Sequence, residues 1–257
     1  YGHDTWEVIS ATETAAVNLD TDNLALIGKD SSATVINPPG PNTQDGVYAL
    51  YADTQTDLLV KNLGFTGARY GIYFINVDRS VVTGDSASSN ADGFHLDYGS
   101  DTNTISGNSF TSNLFDGVSV NSASSPGSGN NTLSGNTFRG NGNNGIRTNA
   151  VGPNNVIENN TFVSNTQSGI VTTSSVGIII RNNQFLSNLL SGIFISGAQN
   201  HVISQNTLDS NASYQIDITS NSSSDTFGKT TRSPTSASPP STSPSTASPA
   251  SGGYWIH

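Results

Sequence analysis

Short stretches of alternating apolar and polar residues recur along the chain at a nearly constant interval. In five of them a polar residue and a glycine precede an apolar residue that begins a short strand-like run; the glycines are Gly93, Gly117, Gly145, Gly169 and Gly192. These glycines are 24, 28, 24 and 23 residues apart. A fixed period of this length indicates a solenoid, in which each repeat forms one turn. The alternation places Phe94 and Leu96 inside and His95 outside.

A second pattern follows each glycine, in which an apolar residue, an asparagine, a phenylalanine or leucine and another asparagine keep fixed distances. Its first copy is Ile105, Asn108, Phe110 and Asn113. We expect the asparagines to be structural, with inward side-chain amides that bond to the asparagine one turn away. The strands are too short to bury a core alone, so they are predicted to stack about 4.8 Å apart in parallel sheets.

The two patterns together resemble the right-handed parallel β-helix of the pectate-lyase-like superfamily, in the form found in NosD-type and carbohydrate-binding β-helix proteins. The resemblance covers residues 23–218. It implies an all-β fold, a single-stranded right-handed parallel β-helix of about eight coils. The superfamily includes lyases, hydrolases, epimerases, phage tailspikes, adhesins and structural proteins, so the resemblance is specific for the fold and not for the function.

Three segments are predicted: a β-helix over residues 1–220, a Ser/Thr/Pro-rich linker or tail over 221–251, and an aromatic tip over 252–257. Residues 233–251 are Ser, Thr, Pro and Ala only, a composition typical of an extended or disordered tract. The sequence contains no Met, so we expect Tyr1 to be a processed N-terminus that follows a signal peptide.

The balance of charge argues against two classes of partner. The net charge is −10, with nine Lys and Arg residues in total, and nucleic-acid binding requires clustered cations. No run of 18 apolar residues occurs, so no membrane span is expected. The chain has no cysteine, which excludes a disulfide framework.

Enzymes of the superfamily act on polysaccharides in a groove along one parallel sheet. The comparable outward column here is predicted to be Tyr48, Tyr73, His95, Ser119, Arg147, Val171, Phe194 and Asp217. The candidate catalytic residues are His95 as a base, Asp92 and Asp116, which lie one coil apart so that each raises the pKa of the other, and Tyr73. The candidate ligand-binding residues are Tyr48, Tyr73, His95, Asp97 and Arg147.

Turn chemistry alone also favours Asp before a glycine, so Asp92 and Asp116 have a purely structural interpretation as well. The motifs of pectate lyases, polygalacturonases and alginate epimerases are absent, and no cation is expected among these carboxylates. Asp97 with Asp101, or Asp92 with Asp116, are the candidate ligands for calcium. Zinc is disfavoured because the chain has no Cys and four scattered His residues. Sequons for N-linked glycans occur at Asn130, Asn159, Asn211 and Asn221.

The missing motifs and the long tail favour a secreted structural or surface protein, the repeating subunit of an extracellular filament. Its β-helices would stack end to end, and Tyr254, Trp255 and Ile256 would be donated to the next copy as a strand. The alternative is a polysaccharide-active enzyme of lyase, epimerase or hydrolase type, or a carbohydrate-binding β-helix module. A third possibility is an adhesin or tailspike fragment. All of these predict an extracellular or cell-surface location.

Overall fold

Three parallel β-sheets wrap around one hydrophobic core. The computed structural model describes residues 4–8, 12–13, 16–40, 42, 47–121, 127–197, 199–219 and 222–232. In these residues each turn of the chain contributes one strand to each sheet, and the sheets contain ten, ten and nine strands. This arrangement is the predicted parallel β-helix, and the all-β class is confirmed.

The strands are numbered in chain order, and neighbours within a sheet are consecutive turns. Sheet A consists of β1 (Asp4–Val8), β4 (Leu24–Gly28), β7 (Leu59–Lys61), β10 (Val81–Thr83), β13 (Thr104–Ser106), β16 (Thr132–Ser134), β19 (Val156–Glu158), β22 (Ile179–Arg181), β25 (Val202–Ser204) and β28 (Thr226–Phe227). Sheet B consists of β2 (Thr12–Glu13), β5 (Val35–Ile36), β8 (Gly64–Thr66), β11 (Ser86–Ser88), β14 (Ser109–Thr111), β17 (Thr137–Arg139), β20 (Thr161–Val163), β23 (Gln184–Leu186), β26 (Thr207–Asp209) and β29 (Thr231–Arg232). Sheet C consists of β3 (Val17–Leu19), β6 (Tyr48–Asp53), β9 (Tyr70–Ile75), β12 (Asp92–Asp97), β15 (Val118–Asn121), β18 (Ile146–Asn149), β21 (Ile170–Thr173), β24 (Ser191–Ser196) and β27 (Tyr214–Ile218).

The core consists of columns of inward side chains, one residue from each turn. In sheet B the rings of Phe110, Phe138, Phe162 and Phe185 stack with centroids 5.3, 4.8 and 4.7 Å apart. These rings are essentially inaccessible to solvent, as is the Val and Ile column of sheet A. A three-residue strand can bury only its central side chain, and stacking turns that single residue into a continuous apolar core.

Asparagine ladders connect the turns at the bends between sheets. The first ladder is Asn103, Asn131 and Asn155; the second is Asn108, Asn136, Asn160, Asn183 and Asn206; the third is Asn90, Asn113, Asn141, Asn165, Asn188 and Asn211. Asn136 shows the common geometry: its Oδ1 accepts from the backbone of Asn108 at 2.9 Å, and its Nδ2 donates to the carbonyl of Ile105 at 2.9 Å. The predicted structural role of the asparagines is therefore confirmed.

The described turns extend beyond the repeats that the sequence pattern identifies. All strands of sheet C except β3 correspond to the predicted eight coils. At the C-terminal end β28 and β29, which lie in the segment predicted as linker, pair with β25 and β26, and Phe227 packs against the core. The predicted aromatic tip, residues 252–257, lies outside the described residues.

Candidate functional site

The outer face of sheet C carries a column of functional side chains, one from each rung. The observed register gives Tyr51, Tyr73, His95, Ser119, Arg147, Val171, Phe194 and Asp217. Seven of these residues were predicted in this order. The first was not, because the structure places Tyr51 opposite Tyr73 and pairs Tyr48 with Tyr70.

The predicted position of Tyr48 in this column is wrong because Gly46 was taken as the glycine of its turn. Opposite Gly71 the register places Ala49, which is completely buried. At Gly93 glycine is required, because a Cβ there would lie 2.5 Å from the carbonyl oxygen of Gly117. Because alanine replaces the expected glycine, the repeat pattern does not identify this turn, and the predicted positions in β6 were displaced by three residues.

Tyr48 nevertheless belongs to a cluster of four tyrosines on this face. The rings of Tyr48 and Tyr51 stack at 5.2 Å between centroids, and Tyr70 and Tyr73 lie 4.8 Å apart. Both Tyr70 and Tyr73 contact His95, at 4.6 and 5.2 Å between ring centroids. An aromatic surface of this kind is suited to stack against the apolar faces of sugar rings.

His95 lies at the end of the aromatic cluster, between two carboxylates of its own strand. Its Nδ1 is 3.4 Å from Asp92 Oδ2, and its Nε2 is 3.7 Å from Asp97 Oδ2. Asn121, from the next rung, places its side-chain nitrogen 3.3 Å from Nε2. The residue is only 6% exposed. The structure therefore brings together three of the predicted site residues, His95, Asp92 and Asp97.

Two opposing effects determine the pKa of His95. Burial lowers the pKa, but the bonds to Asp92 and Asp97 outweigh it, so that the pKa is raised above 6.5. When the ring is neutral, Nδ1–H can donate to Asp92, and the lone pair of Nε2 accepts a hydrogen bond from Asn121. Burial is also the main cause that raises the pKa of the Tyr73 phenol, which therefore keeps its proton at neutral pH.

Asp116 is held by Arg147 and Asn144. Its Oδ2 accepts from Arg147 Nε at 2.7 Å, and its Oδ1 accepts from the backbone and the side chain of Asn144 at 3.0 Å each. Burial raises the pKa of Asp116, and Arg147 opposes that effect more strongly than Asp92 adds to it. Arg147 thus lies among the carboxylates, where no cation was expected, and Asp116 holds it in place.

A ladder of side chains forms the floor of the face. Asp92 accepts from the backbone of Asp116, Asp116 from that of Asn144, Asn144 from that of Ser168, and Ser168 from that of Ser191. Each residue directly precedes the glycine position of its turn. These bonds of Asp92 and Asp116 join successive rungs, so they are not the local turn bonds that were expected. This structural role coexists with the contacts of Asp92 to His95 and of Asp116 to Arg147.

A cleft of about 480 Å³ continues the face beyond Arg147. Its lining residues are Asn144, Arg147, Gln167, Ser168, Val171, Leu190, Ser191, Phe194, Ser213, Tyr214 and Asp217. The sequence pattern predicted the outward positions of Arg147, Val171, Phe194 and Asp217 but not a cleft. Its other wall, Gln167, Leu190 and Ser213, lies in the turns that lead into sheet C, where the repeat pattern assigns no orientation.

Asp101, the second predicted calcium ligand, does not join Asp97 at the site. Asp101 accepts from the backbone of Gly129, and Asp97 Oδ1 accepts from the backbone of Tyr98. In the part of the chain that the structure describes, no group of three or more His, Cys, Asp or Glu side chains is arranged to hold a metal ion. The same residues include no helix with the length and hydrophobicity needed to cross a bilayer.

The sequons have unequal surroundings. Asn130 and Asn159 are exposed, whereas Asn211 is buried in the third ladder and donates to Phe185 and Gln215. Asn211 is therefore not accessible to a glycan in the folded protein. Asn221 lies outside the described residues, as do the predicted assembly residues Tyr254, Trp255 and Ile256.

Several solved structures resemble this fold over most of its length. The periplasmic alginate epimerase AlgG superposes with a TM-score of 0.68 at 19% identity, covering 88% of this chain and 67% of its own. An alginate lyase from Paenibacillus sp. str. FPU-7 gives 0.75 at 17% identity, covering 90% and 89%. The pectate lyase Pel9A gives 0.63 at 14% identity, covering 93% and 68%. At these identities the similarity concerns the fold.

The sequence itself matches one family model. No curated protein sequence shows significant similarity to the chain. The model described as right handed beta helix region matches residues 9–148 and 96–230, two overlapping stretches that include every described strand of sheet C. Together with the parallel register of the three sheets, this match shows that the chain belongs to the right-handed β-helix family.

Proposed function

We propose that the protein binds a uronate-containing polysaccharide along the outer face of sheet C and that His95 removes a proton from the sugar. The observation that carries this proposal is the joining of an aromatic surface, a buried Asp–His–Asp cluster and a cleft on one continuous face. The similar structures support it, because they are those of alginate epimerases, an alginate lyase and a pectate lyase.

His95 has the geometry of an oriented base. Asp92 lies on the Nδ1 side and favours the tautomer with its proton on that nitrogen. Nε2 is then the proton acceptor once the substrate displaces the hydrogen bond that it accepts from Asn121. The raised pKa makes the neutral imidazole a stronger base, and it also means that the active form appears only at a pH above 6.5. The proton at C5 of a uronate is acidic because the adjacent carboxyl group takes up the electron pair.

Tyr73 is the candidate acid. Its phenol keeps its proton at neutral pH and its ring contacts the ring of His95. After His95 has taken the C5 proton, one of two outcomes completes the reaction. In elimination the C4–O bond breaks and Tyr73 protonates the departing oxygen; in epimerisation Tyr73 returns a proton to C5 from the opposite side. The proteins of similar fold include both types, an alginate epimerase and an alginate lyase.

The filament prediction has less support than this alternative, because the residues that would join the copies lie outside the described part of the chain and the similar structures are polysaccharide-active enzymes. It stays a prediction, as does calcium binding. One of the similar enzymes is described as periplasmic, which supports a location outside the cytoplasm for this chain too.

The test is turnover of alginate and pectate by the wild type, His95→Ala and Tyr73→Phe, with circular dichroism to verify folding. We expect turnover by the wild type and a loss of at least about 100-fold in kcat for either variant. Tyr51→Phe is the matched control. Tyr51 lies one rung from Tyr73, and among the described residues its ring does not contact the ring of His95. Equal activity of His95→Ala and wild type would refute the role of His95.

A further inference from the structure

The cleft beyond Arg147 is built as a regular grid. Each of four successive rungs, those of β18, β21, β24 and β27, contributes residues from the same columns. The floor is Asn144, Ser168 and Ser191; one wall is Gln167, Leu190 and Ser213; the other is Arg147, Val171, Phe194 and Asp217. A repeat of the same positions every rung suits a ligand that itself repeats along the solenoid axis.

The cleft is continuous with the site of the proposed chemistry. His95 and Asp217 belong to one column and are separated by five rung steps, about 24 Å at the usual spacing. One pyranose ring of an extended glycan is about as long as one rung step. A chain that reacts at His95 can therefore extend through the cleft and place successive sugars over Val171 and Phe194.

The side chains that project into the cleft are largely apolar. Val171, Leu190, Phe194 and Tyr214 line it, and Leu190 is 46% exposed to solvent. Apolar groups grouped in a concave surface favour a ligand that covers them with apolar atoms of its own. The polar side chains of Asn144 and Ser168 lie on the floor and already bond within the ladder that joins the rungs.

The charges of the cleft disfavour a polyanion. Arg147 is the one cation among the residues that line it, and its guanidinium already bonds to Asp116 and Ser119. Asp217 lies at the far end, with a pKa that burial raises. Asp116 thus already neutralises Arg147, and Asp217 adds an acidic group to the lining, in a chain whose net charge is −10. A row of free uronate carboxylates would meet net repulsion here.

From these observations we infer that the cleft selects uncharged sugar residues that carry a short ester, either a carboxyl alkyl ester or an O-acyl group. The inference rests on the proposed function, since it concerns the part of the same glycan that lies beyond the reacting sugar. A carboxyl alkyl ester removes the charge of the carboxylate, and an O-acyl group is itself uncharged. Either ester supplies a methyl group that can pack against Val171, Leu190 and Phe194. Asp217 accepts hydrogen bonds from sugar hydroxyls.

Two neighbouring leucines provide a matched test. Leu189 and Leu190 are both exposed, at 55% and 46%, and only Leu190 lines the cleft. The probes are oligomers of methyl-esterified galacturonan and of O-acetylated xylan, each compared with the same oligomer after de-esterification, by titration calorimetry with the full chain. We expect esterified probes to bind more tightly, by about fourfold for each methyl group buried.

Leu190→Ser should abolish that preference and Leu189→Ser should leave it intact. Leu190→Lys should reverse it in favour of the free uronate, again without an effect of Leu189→Lys. Preference in only one of the two ester arms supports the inference and identifies the source of the ester. Binding of glycans without preference, or a preference of the wild type for free uronate, would overturn it while leaving the proposed function in place. Binding of no glycan at all would overturn both.

Discussion

Asp85 stands at a place in the second asparagine ladder where the later turns have Asn108, Asn136 and their successors. Its Oδ1 makes the same hydrogen bond as the Oδ1 of a ladder asparagine, accepting from the backbone N–H of Leu63 at 2.7 Å. Its Oδ2 is buried and has no hydrogen-bond partner among the described residues. In the next turn the corresponding atom is a nitrogen, Asn108 Nδ2, which donates to the carbonyl of Val82 at 2.9 Å. Val60 pairs with Val82 in the parallel register, so the carbonyl of Val60 occupies for Asp85 the place that the carbonyl of Val82 occupies for Asn108.

An ionised carboxylate cannot donate to a carbonyl, so this place requires a protonated acid. Burial raises the pKa of Asp85 from 3.8 to about 7, against the opposing effect of its backbone hydrogen bonds. The folded protein therefore binds this proton more strongly than the unfolded chain. Stability is then highest below pH 3.8, falls as the pH rises towards 7, and is constant above that. The free energy of unfolding lost over this range is about 4 kcal/mol.

Asp85→Asn tests this directly, because an amide restores the missing donor and has no charge to bury. We expect the variant to equal the wild type near pH 4 and to exceed it by about 4 kcal/mol at pH 8. The assay is urea unfolding followed by far-ultraviolet circular dichroism at four pH values. Asn183→Asp, in the same ladder, is the matched control: it removes the bond from Asn183 Nδ2 to the carbonyl of Ile157 and should introduce the same pH dependence. Parallel pH profiles of the wild type and Asp85→Asn would show that Asp85 does not hold a proton in the fold.

Three further predictions concern the site and the core. Asp92→Asn removes a charge that stabilises the imidazolium, so the pKa of His95, followed by NMR titration, should fall and any pH–activity profile should move to lower pH on its acidic side; an unchanged titration would contradict the assignment. Arg147→Gln leaves Asp116 buried without its ion pair and should cost about 2 kcal/mol, less than a fully buried pair because the Arg147 side chain is 37% exposed; the double variant with Asp116→Asn should recover most of the loss in urea unfolding. Phe162→Ala removes a ring that stacks on both neighbours and should cost about 4 kcal/mol in the same assay, whereas a cost below 1 kcal/mol would mean that the stack is loosely packed.

The sequence predicted the fold because a β-helix repeats a local pattern. The glycine before each strand of sheet C and the asparagines at the bends each have a physical reason that holds at every turn, and repetition made the pattern visible. The prediction failed where a turn departs from it. Ala49 replaces the glycine and displaced the reading of β6, and the end strands β1 and β28 lack the repeat altogether.

The site was only partly predictable for a related reason. Alternation along β12 predicts that His95 and Asp97 point outward. It does not predict the contact of Asp92 with His95, because the two residues are three positions apart. The partnership of Arg147 with Asp116 depends on how far a long side chain reaches across rungs, which no periodic pattern contains. The cleft wall formed by Leu190 lies in a bend, where alternation has no meaning, so only the three-dimensional register could reveal it.

Proton abstraction at His95 can be measured without knowing which reaction follows it. Alginate and pectate are incubated with the protein in D₂O, and NMR is used to detect deuterium at C5 of the sugar or a new unsaturated chain end. We predict that the wild type produces at least one of these signals with one of the polymers, and that His95→Ala produces neither. Tight binding of both polymers by the wild type with no deuterium at C5 and no unsaturated end would contradict catalysis on sheet C.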